Sequence, residues 1–377
     1  MKATLKEIES KTLLRKMKRI DSWFISAYGM NLYRGCEHGC AYCDGRAEKY
    51  QVEGNFDKEI IVKKNALSLL KKELDPARKR TPFKKGYIFL GGGVGDSYQP
   101  LEKEYKLTRR ILEFLTTTDF PIHILTKSTL VLRDLDLLKE INKKRRVLVS
   151  FSLSSANDEI SAFFEPCASS PSERLAAIKE FKTNGIHSGV FLLPVLPFIT
   201  DNIEVMEDSL KKIKESGADY MLFGGMTLKQ GRQMDYFYGT LEKYNPELKI
   251  EYDAIYNNDQ WGSASHEYYS SIYETFNFIK KKYTLPERIP VPLFKDIVDV
   301  NDYVSILLDH LDYFAKAQGQ KSPYGYASYV ISTLKYPIRE KYHRLTDIKG
   351  VGPATARIIQ EILQTGNSRY LQSLMNK

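Results

Sequence analysis

Cysteine is scarce in this chain, with four among 377 residues, and three of the four fall within eight residues. So few thiols, bunched as an odd group, exclude a disulfide scaffold and fit a reducing compartment where cysteines serve metals or catalysis. Long apolar runs are absent as well. The start, Met1-Lys-Ala-Thr-Leu-Lys-Glu-Ile-Glu-Ser10, alternates charge with apolar residues and builds neither a signal peptide nor a membrane-spanning segment. The expected setting is the cytoplasm, with no membrane partner. A hydrophobic content of 42% fills a sizeable core, enough for one large α/β domain with a small appendage.

Acidic residues are scarce in three particular stretches. Residues 63–85 hold nine Lys/Arg against two acids, residues 1–20 seven against two, and residues 335–357 six against two. The formal net charge is +9, so the remainder of the chain is net negative. Segregated positive charge is the footprint of a phosphate-backbone binder, and a solvated lysine-rich face is the plainer alternative.

The three close cysteines are Cys36, Cys40 and Cys43, in Asn31-Leu-Tyr-Arg-Gly-Cys-Glu-His-Gly-Cys-Ala-Tyr-Cys-Asp-Gly-Arg46. Gaps of three and then two residues let one loop present three thiolates to a single point, as cuboidal iron–sulfur clusters require. Zinc with His38 or Cys167 as fourth ligand is an alternative, although structural zinc sites usually pair two knuckles of two ligands each. Buried structural cysteines are a third reading, opposed by Gly35, Gly39 and Gly45, which mark a turn.

With Tyr42 before the last cysteine, this spacing resembles the signature of the radical S-adenosylmethionine superfamily. The resemblance implies a [4Fe-4S] cluster on the three cysteines with one iron open to S-adenosylmethionine. It also implies reductive cleavage of that cofactor to a 5′-deoxyadenosyl radical, and an external electron donor such as a flavodoxin or ferredoxin. The order Gly95-Asp-Ser-Tyr-Gln-Pro-Leu-Glu102, Leu107-Thr-Arg-Arg-Ile-Leu-Glu113, Leu125-Thr-Lys-Ser128 with Arg133-Asp134, Glu165-Pro166 with Arg174-Leu175, and Gly185-Ile186 is similar to the spore photoproduct lyase-like branch.

Short apolar runs alternate with amphipathic stretches, the pattern of βα units and a parallel sheet. Strands are expected at 31–34, 87–90, 122–126, 147–153, 188–193 and 220–223, and helices at 101–115, 132–141, 172–184 and 203–216. Ser172 with Glu173 reads as a helix cap, and Asn184-Gly185 as a stop. The fold class this implies is α/β, a partial (β/α)6 TIM-like barrel with additional helices and a small C-terminal α-helical hairpin domain. The expected division is a basic segment 1–20, the barrel 21–235, a mixed helical extension 236–320 and a tail 321–377.

Gly91-Gly92-Gly93-Val94-Gly95-Asp96 follows the second expected strand and permits close backbone approach to a ligand. The resemblance gives this turn, with Tyr42, to the cofactor: Gly91, Gly92 and Gly93 near the methionine amino group and Asp96 as its acidic partner. Asp96 as a helix cap is the alternative. Lys127 is implied near the methionyl carboxylate. Ser152 and Ser154 share a face of the fourth strand, so either suits a hydrogen bond to the cofactor. Spore photoproduct lyases carry a hydrogen-donating cysteine after the second strand, where this chain has glycine and valine. Cys167 is the one remaining thiol, an alternative donor or an incidental free cysteine. Asp44 and Gly45 also depart from the tyrosine-alanine common in the branch.

Near the end, Leu345-Thr-Asp-Ile-Lys-Gly-Val-Gly-Pro-Ala-Thr-Ala-Arg-Ile-Ile-Gln-Glu-Ile362 resembles a helix-hairpin-helix element. Gly350 and Gly352 would form its turn, and Pro353 would start its second helix. Free N–H groups at a helix N-terminus suit phosphate contact, and Lys349, Arg344 and Arg357 add charge nearby. A hairpin that only packs is the alternative. Lys321-Ser-Pro-Tyr-Gly-Tyr326 reads as the linker into this tail. The expectation is a radical S-adenosylmethionine enzyme acting on, or recruited to, nucleic acid, DNA more than RNA. Its rivals are a pyrimidine-dimer repair lyase and a non-catalytic iron–sulfur DNA-binding protein.

Overall fold

A computed structural model describes residues 3–50, 52, 54–79, 81–91, 95–256 and 260–375. The described residues form ten strands: β1 Thr4–Ile8, β2 Leu14–Lys16, β3 Ser26–Met30, β4 Tyr33–Arg34, β5 Glu59–Lys63, β6 Tyr87–Leu90, β7 Ile122–Thr126, β8 Val147–Leu153, β9 His187–Val195 and β10 Met221–Gly225. The large sheet has the order β10-β9-β8-β7-β6-β3-β2, so β6 to β10 lie side by side in chain order. Pairs β7/β8, β8/β9 and β9/β10 are parallel, with Ile122 opposite Val147 and Leu148 opposite His187. This is the expected partial barrel, its strands alternating with helices.

The expected strand at 31–34 is displaced. The buried strand is β3, whose Ser-Ala-Tyr-Gly-Met lacks the β-branched residues that advertise a strand. Tyr33 and Arg34 instead form β4 of a small sheet ordered β1-β5-β4, where β5 runs antiparallel to β4 and parallel to β1.

Helix edges follow local capping chemistry. The expected helix 101–115 is two, Glu102–Tyr105 and Leu107–Leu115, broken at Lys106, which is left-handed at φ 49°. The break has a cause in Glu102, whose buried carboxylate accepts the N–H groups of Leu107 (3.0 Å) and Thr108 (3.1 Å) and so caps the second helix. Likewise, the expected helix 132–141 becomes a 3₁₀ turn Thr129–Asp134 followed by Leu135–Lys144. The helix Pro171–Thr183 is capped by Ser170, not Ser172, in a reciprocal box with Glu173, and Gly185 ends it at φ 71°. Its buried face carries Arg174 with Leu175, Ile178 and Phe181, while Lys179 is exposed. Helix Ile203–Glu215 is capped by Asn202, and left-handed Gly217 follows its end.

The chain divides into two compact units, residues 1–15, 29–78 and 89–287 in the first, and 16–28, 79–88 and 288–377 in the second. The second unit is built on helix Val300–Ala317, which buries Val304, Leu307, Leu308, Leu311 and Phe314. Helix Tyr324–Ser332 packs against it through Ser305 and Ser328, whose hydroxyls are 2.8 Å apart. That helix begins inside the segment expected to be a linker.

His310 lies in this core with its Nε2 buried and, among the described residues, without a hydrogen-bond partner. Burial, then the charge of Arg288, pull its pKa from the ordinary 6.5 to about 3, against a smaller opposing effect from the Ser22 backbone. The unfolded chain therefore binds a proton here that the folded chain does not, and stability must fall as pH drops from 6.5 toward 3. Each unit in that window costs up to about 1.4 kcal/mol. Thermal melts of His310→Leu at pH 7, 5.5 and 4 should decline less steeply than those of the parent chain; parallel declines would refute the assignment.

Candidate cofactor site

The cysteine loop is shaped by two left-handed glycines, Gly35 at φ 81° and Gly39 at φ 68°. A Cβ on Gly35 would sit 2.8 Å from the Phe56 carbonyl oxygen, so only glycine fits there. Cys36 N–H donates to Phe56 O (2.9 Å), Ala41 N–H to Phe164 O (2.8 Å) and Cys43 N–H to Cys40 O (3.3 Å). All three thiols are free; Cys36 and Cys40 are buried and Cys43 is half-buried. Burial pushes the Cys40 thiol up to about 12.

The donor set fits an iron–sulfur cluster. It offers three soft sulfurs on one loop, none of them in a disulfide. Among the described residues no three His, Cys, Asp or Glu side chains converge on a single-ion site. Thiolates facing one cuboidal cluster each bind a different iron, so they stand farther apart than the ligands of a single ion. His38 is engaged otherwise, through Nδ1 with the Cys167 carbonyl (3.1 Å) and Nε2 with Asp96 (3.2 Å), so it is not free to be a fourth zinc ligand; Cys167 is exposed.

Gly91, at φ 132°, ends β6 so close to β7 that a Cβ would collide with the Leu125 carbonyl. Gly92 and Gly93 lie outside the described residues. Asp96 is almost fully buried and accepts from Tyr98 N–H (2.8 Å), Thr126 Oγ1 (2.8 Å), Lys127 N–H (2.9 Å) and the His38 ring. Burial raises its pKa, but His38 and these donors outweigh it and hold the carboxyl below the usual range. Asp96 thus ties the end of β6 to the end of β7 and to the cysteine loop.

Beside the loop lies a buried charge group that the sequence reading missed. Glu165 accepts from Tyr42 Oη, from Lys127 Nζ (3.1 Å) and from Ser154 Oγ (3.2 Å) on one oxygen, and from Arg174 and Ser161 Oγ (3.2 Å) on the other. Burial would raise its pKa, but Arg174 and Lys127 outweigh burial and keep Glu165 ionised, far below the ordinary range. Lys127 also donates to Ser152 Oγ (3.1 Å), which donates in turn to Leu193 O (3.0 Å). The structure therefore brings together Tyr42, Lys127, Ser152 and Ser154 from the expected set and adds Glu165 and Arg174. Two cations share one carboxylate, which leaves the group with a surplus positive charge. The signal for Arg174 was available, since it occupies the apolar face of its helix, where an arginine is buried only when paired.

A clamp from the segment after β10 holds the loop's far side. Gln233 Nε2 donates to the carbonyls of Tyr42 (3.1 Å) and Thr227 (2.8 Å), and Lys229 pairs with Asp44. Tyr42 and Cys40 pack with Phe164, Leu196, Met226, Leu228 and Phe237. The departure from the branch at Asp44 thus has a local partner.

In the tail, the stretch before the turn is a 3₁₀ segment, Ile338–Asp347, interrupted at Lys341 and Arg344, rather than the regular helix expected. Gly350 is left-handed at φ 81°, with its Cβ position 2.5 Å from the Tyr326 ring. Gly352 caps helix Pro353–Thr365, which starts on proline. Lys349 and Arg357 are exposed, while Arg344 is paired with Asp347 at 2.8 Å.

The model of the radical SAM superfamily matches residues 30–210. An uncharacterized protein of Mycobacterium tuberculosis is 32% identical over 243 residues, covering 63% of this chain and 70% of that protein. Another, from Methanocaldococcus jannaschii, is 31% identical over 256 residues, covering 68% and 86%. Spore photoproduct lyase complexed with dinucleoside spore photoproduct superposes with a TM-score of 0.54 at 19% identity, over 74% of this chain and 80% of that one, a likeness of fold. Matched through its cysteine loop and barrel and by relatives along most of their length, the chain belongs to the radical S-adenosylmethionine superfamily.

Proposed function

We propose that this chain binds a [4Fe-4S] cluster through Cys36, Cys40 and Cys43, cleaves S-adenosylmethionine reductively, and acts on or is recruited to nucleic acid. The observation that carries the first part is the surplus positive charge of Lys127 and Arg174 over Glu165 beside the three thiols. The Lys127 ammonium, shared between Glu165 and Ser152, is the cation an anionic group would meet there, and the methionyl carboxylate is such a group. When bound, the cluster supplies the electron that breaks the sulfonium bond, drawn from an external donor such as a flavodoxin or ferredoxin. Lys127 and Ser152 would orient the carboxylate, Gly91 would leave room for the backbone to approach, and the aromatic packing around Tyr42 would exclude water. Anaerobic reconstitution followed by product analysis tests this reading; absence of 5′-deoxyadenosine from a cluster-loaded chain given S-adenosylmethionine and a strong reductant would count against it.

Recruitment to nucleic acid rests on the exposed Lys349 and Arg357 beside the Gly350–Gly352 turn and on the positive charge of residues 335–357. Binding that contacts phosphates should weaken with salt at a slope of about −0.9 per phosphate on duplex DNA. Lys349→Ala and Arg357→Ala should each make that slope shallower by about one and weaken all sequences alike. Filter binding across a salt series reads both effects. Unchanged slopes would return the turn to a packing role.

A further inference from the structure

Arg46, three residues past Cys43, is buried, and each of its guanidinium nitrogens has a partner. Nε donates to the carbonyl of Cys40 (3.0 Å) and Nη2 to that of Gly39 (3.2 Å), while Nη1 pairs with Asp57 at 3.0 Å. One face of the group lies 3.4 Å from the centre of the Tyr236 ring, and the Phe56 ring is 5.4 Å away. Asp57 also accepts from Tyr236 Oη at 3.4 Å. Cys40 O receives a second bond, from Cys43 N–H, so Arg46 and the last cysteine share one acceptor at the middle cysteine.

Two carbonyls could be satisfied by a neutral donor, and burying a permanent cation carries a desolvation cost that a single partner such as Asp57 offsets only in part. The charge itself therefore calls for a use. In a low-dielectric setting a fixed cation favours any neighbour that gains negative charge, and iron–sulfur potentials respond to local charge and hydrogen bonding. Asp57 opposes this effect from the opposite end of the guanidinium, where it reaches Arg46 and Tyr236.

We infer that Arg46 is a positioning residue for the cysteine loop, and that its charge, tempered by Asp57, sets the reduction potential of the cluster the loop would carry. The inference rests on the cluster reading proposed above. It requires that Arg46→Gln and Asp57→Asn act in opposite directions. Removing the cation should move the cluster's midpoint potential to a more negative value, and removing its counter-charge should move it to a more positive one. Arg46→Lys, which keeps the charge, should stay close to the parent chain.

The test uses the full chain, reconstituted anaerobically, with iron and sulfide content measured beside a redox titration followed by electron paramagnetic resonance. General damage to the loop would shift both variants the same way. Shifts of one sign, or none in either variant, would overturn the inference. If Arg46→Gln takes up no iron, Asp57→Asn decides: a positive shift supports the inference, and a zero or negative shift overturns it. A parent chain that takes up no iron overturns the cofactor assignment and this inference with it, whereas a parent cluster indifferent to both substitutions overturns this inference alone.

Discussion

Alanine in place of Cys40 is expected to abolish 5′-deoxyadenosine formation while leaving the fold intact. Cys40 is buried, but its side chain is small, and losing one sulfur from the packed loop costs about 1 kcal/mol. The loop's shape rests on backbone bonds that alanine keeps: Cys43 N–H to Cys40 O, Ala41 N–H to Phe164 O, and Arg46 Nε to Cys40 O. The thermal midpoint without iron should therefore move by only a few degrees, and iron uptake and cofactor cleavage should vanish together. Two measurements decide it, iron content after reconstitution and chromatographic detection of deoxyadenosine. Turnover at more than a few per cent of the parent rate would remove Cys40 from the ligand set.

Substituting Glu165 should have the largest effect on stability. Its carboxylate is wholly buried and serves Arg174 and Lys127 at once. Alanine there leaves fully buried Arg174 and partly buried Lys127 without their shared carboxylate, and breaking a buried pair by deleting one partner costs about 3–5 kcal/mol. Urea denaturation should show a midpoint lowered accordingly. Replacing Arg174 with methionine as well should restore part of that loss, because the second substitution removes the fully buried charge left unpaired. A loss below about 1 kcal/mol in the single variant, or no recovery in the double, would mean that the group is open to solvent.

The cysteine spacing was legible because three thiols within eight residues form one local pattern. Strands β6, β7 and β8 matched their expected limits because each is an apolar run bounded by turn residues. The charge group around Glu165 was hidden because its members, Tyr42, Lys127, Glu165 and Arg174, lie on four separate segments that only the parallel sheet brings together. Arg46 was hidden differently: it stood inside the quoted motif, and nothing in its spacing shows which way its side chain turns. Helix 101–115 was misread at Lys106 because its cap is a glutamate inside the same run, which looks from sequence like one more helical residue.

The small sheet has a bearing on how this protein can be handled. Strand β1 is nearly all exposed, with Lys6 and Glu7 along it, and it covers one side of β5, whose Ile60 and Val62 are buried. Trimming the first eight residues, a common step in preparing protein for crystals, would bare a row of unpaired N–H and C=O groups on an apolar edge strand. Such an edge templates self-association. The charged first strand, with Lys6 and Glu7, thus covers an edge that would otherwise be open to pairing.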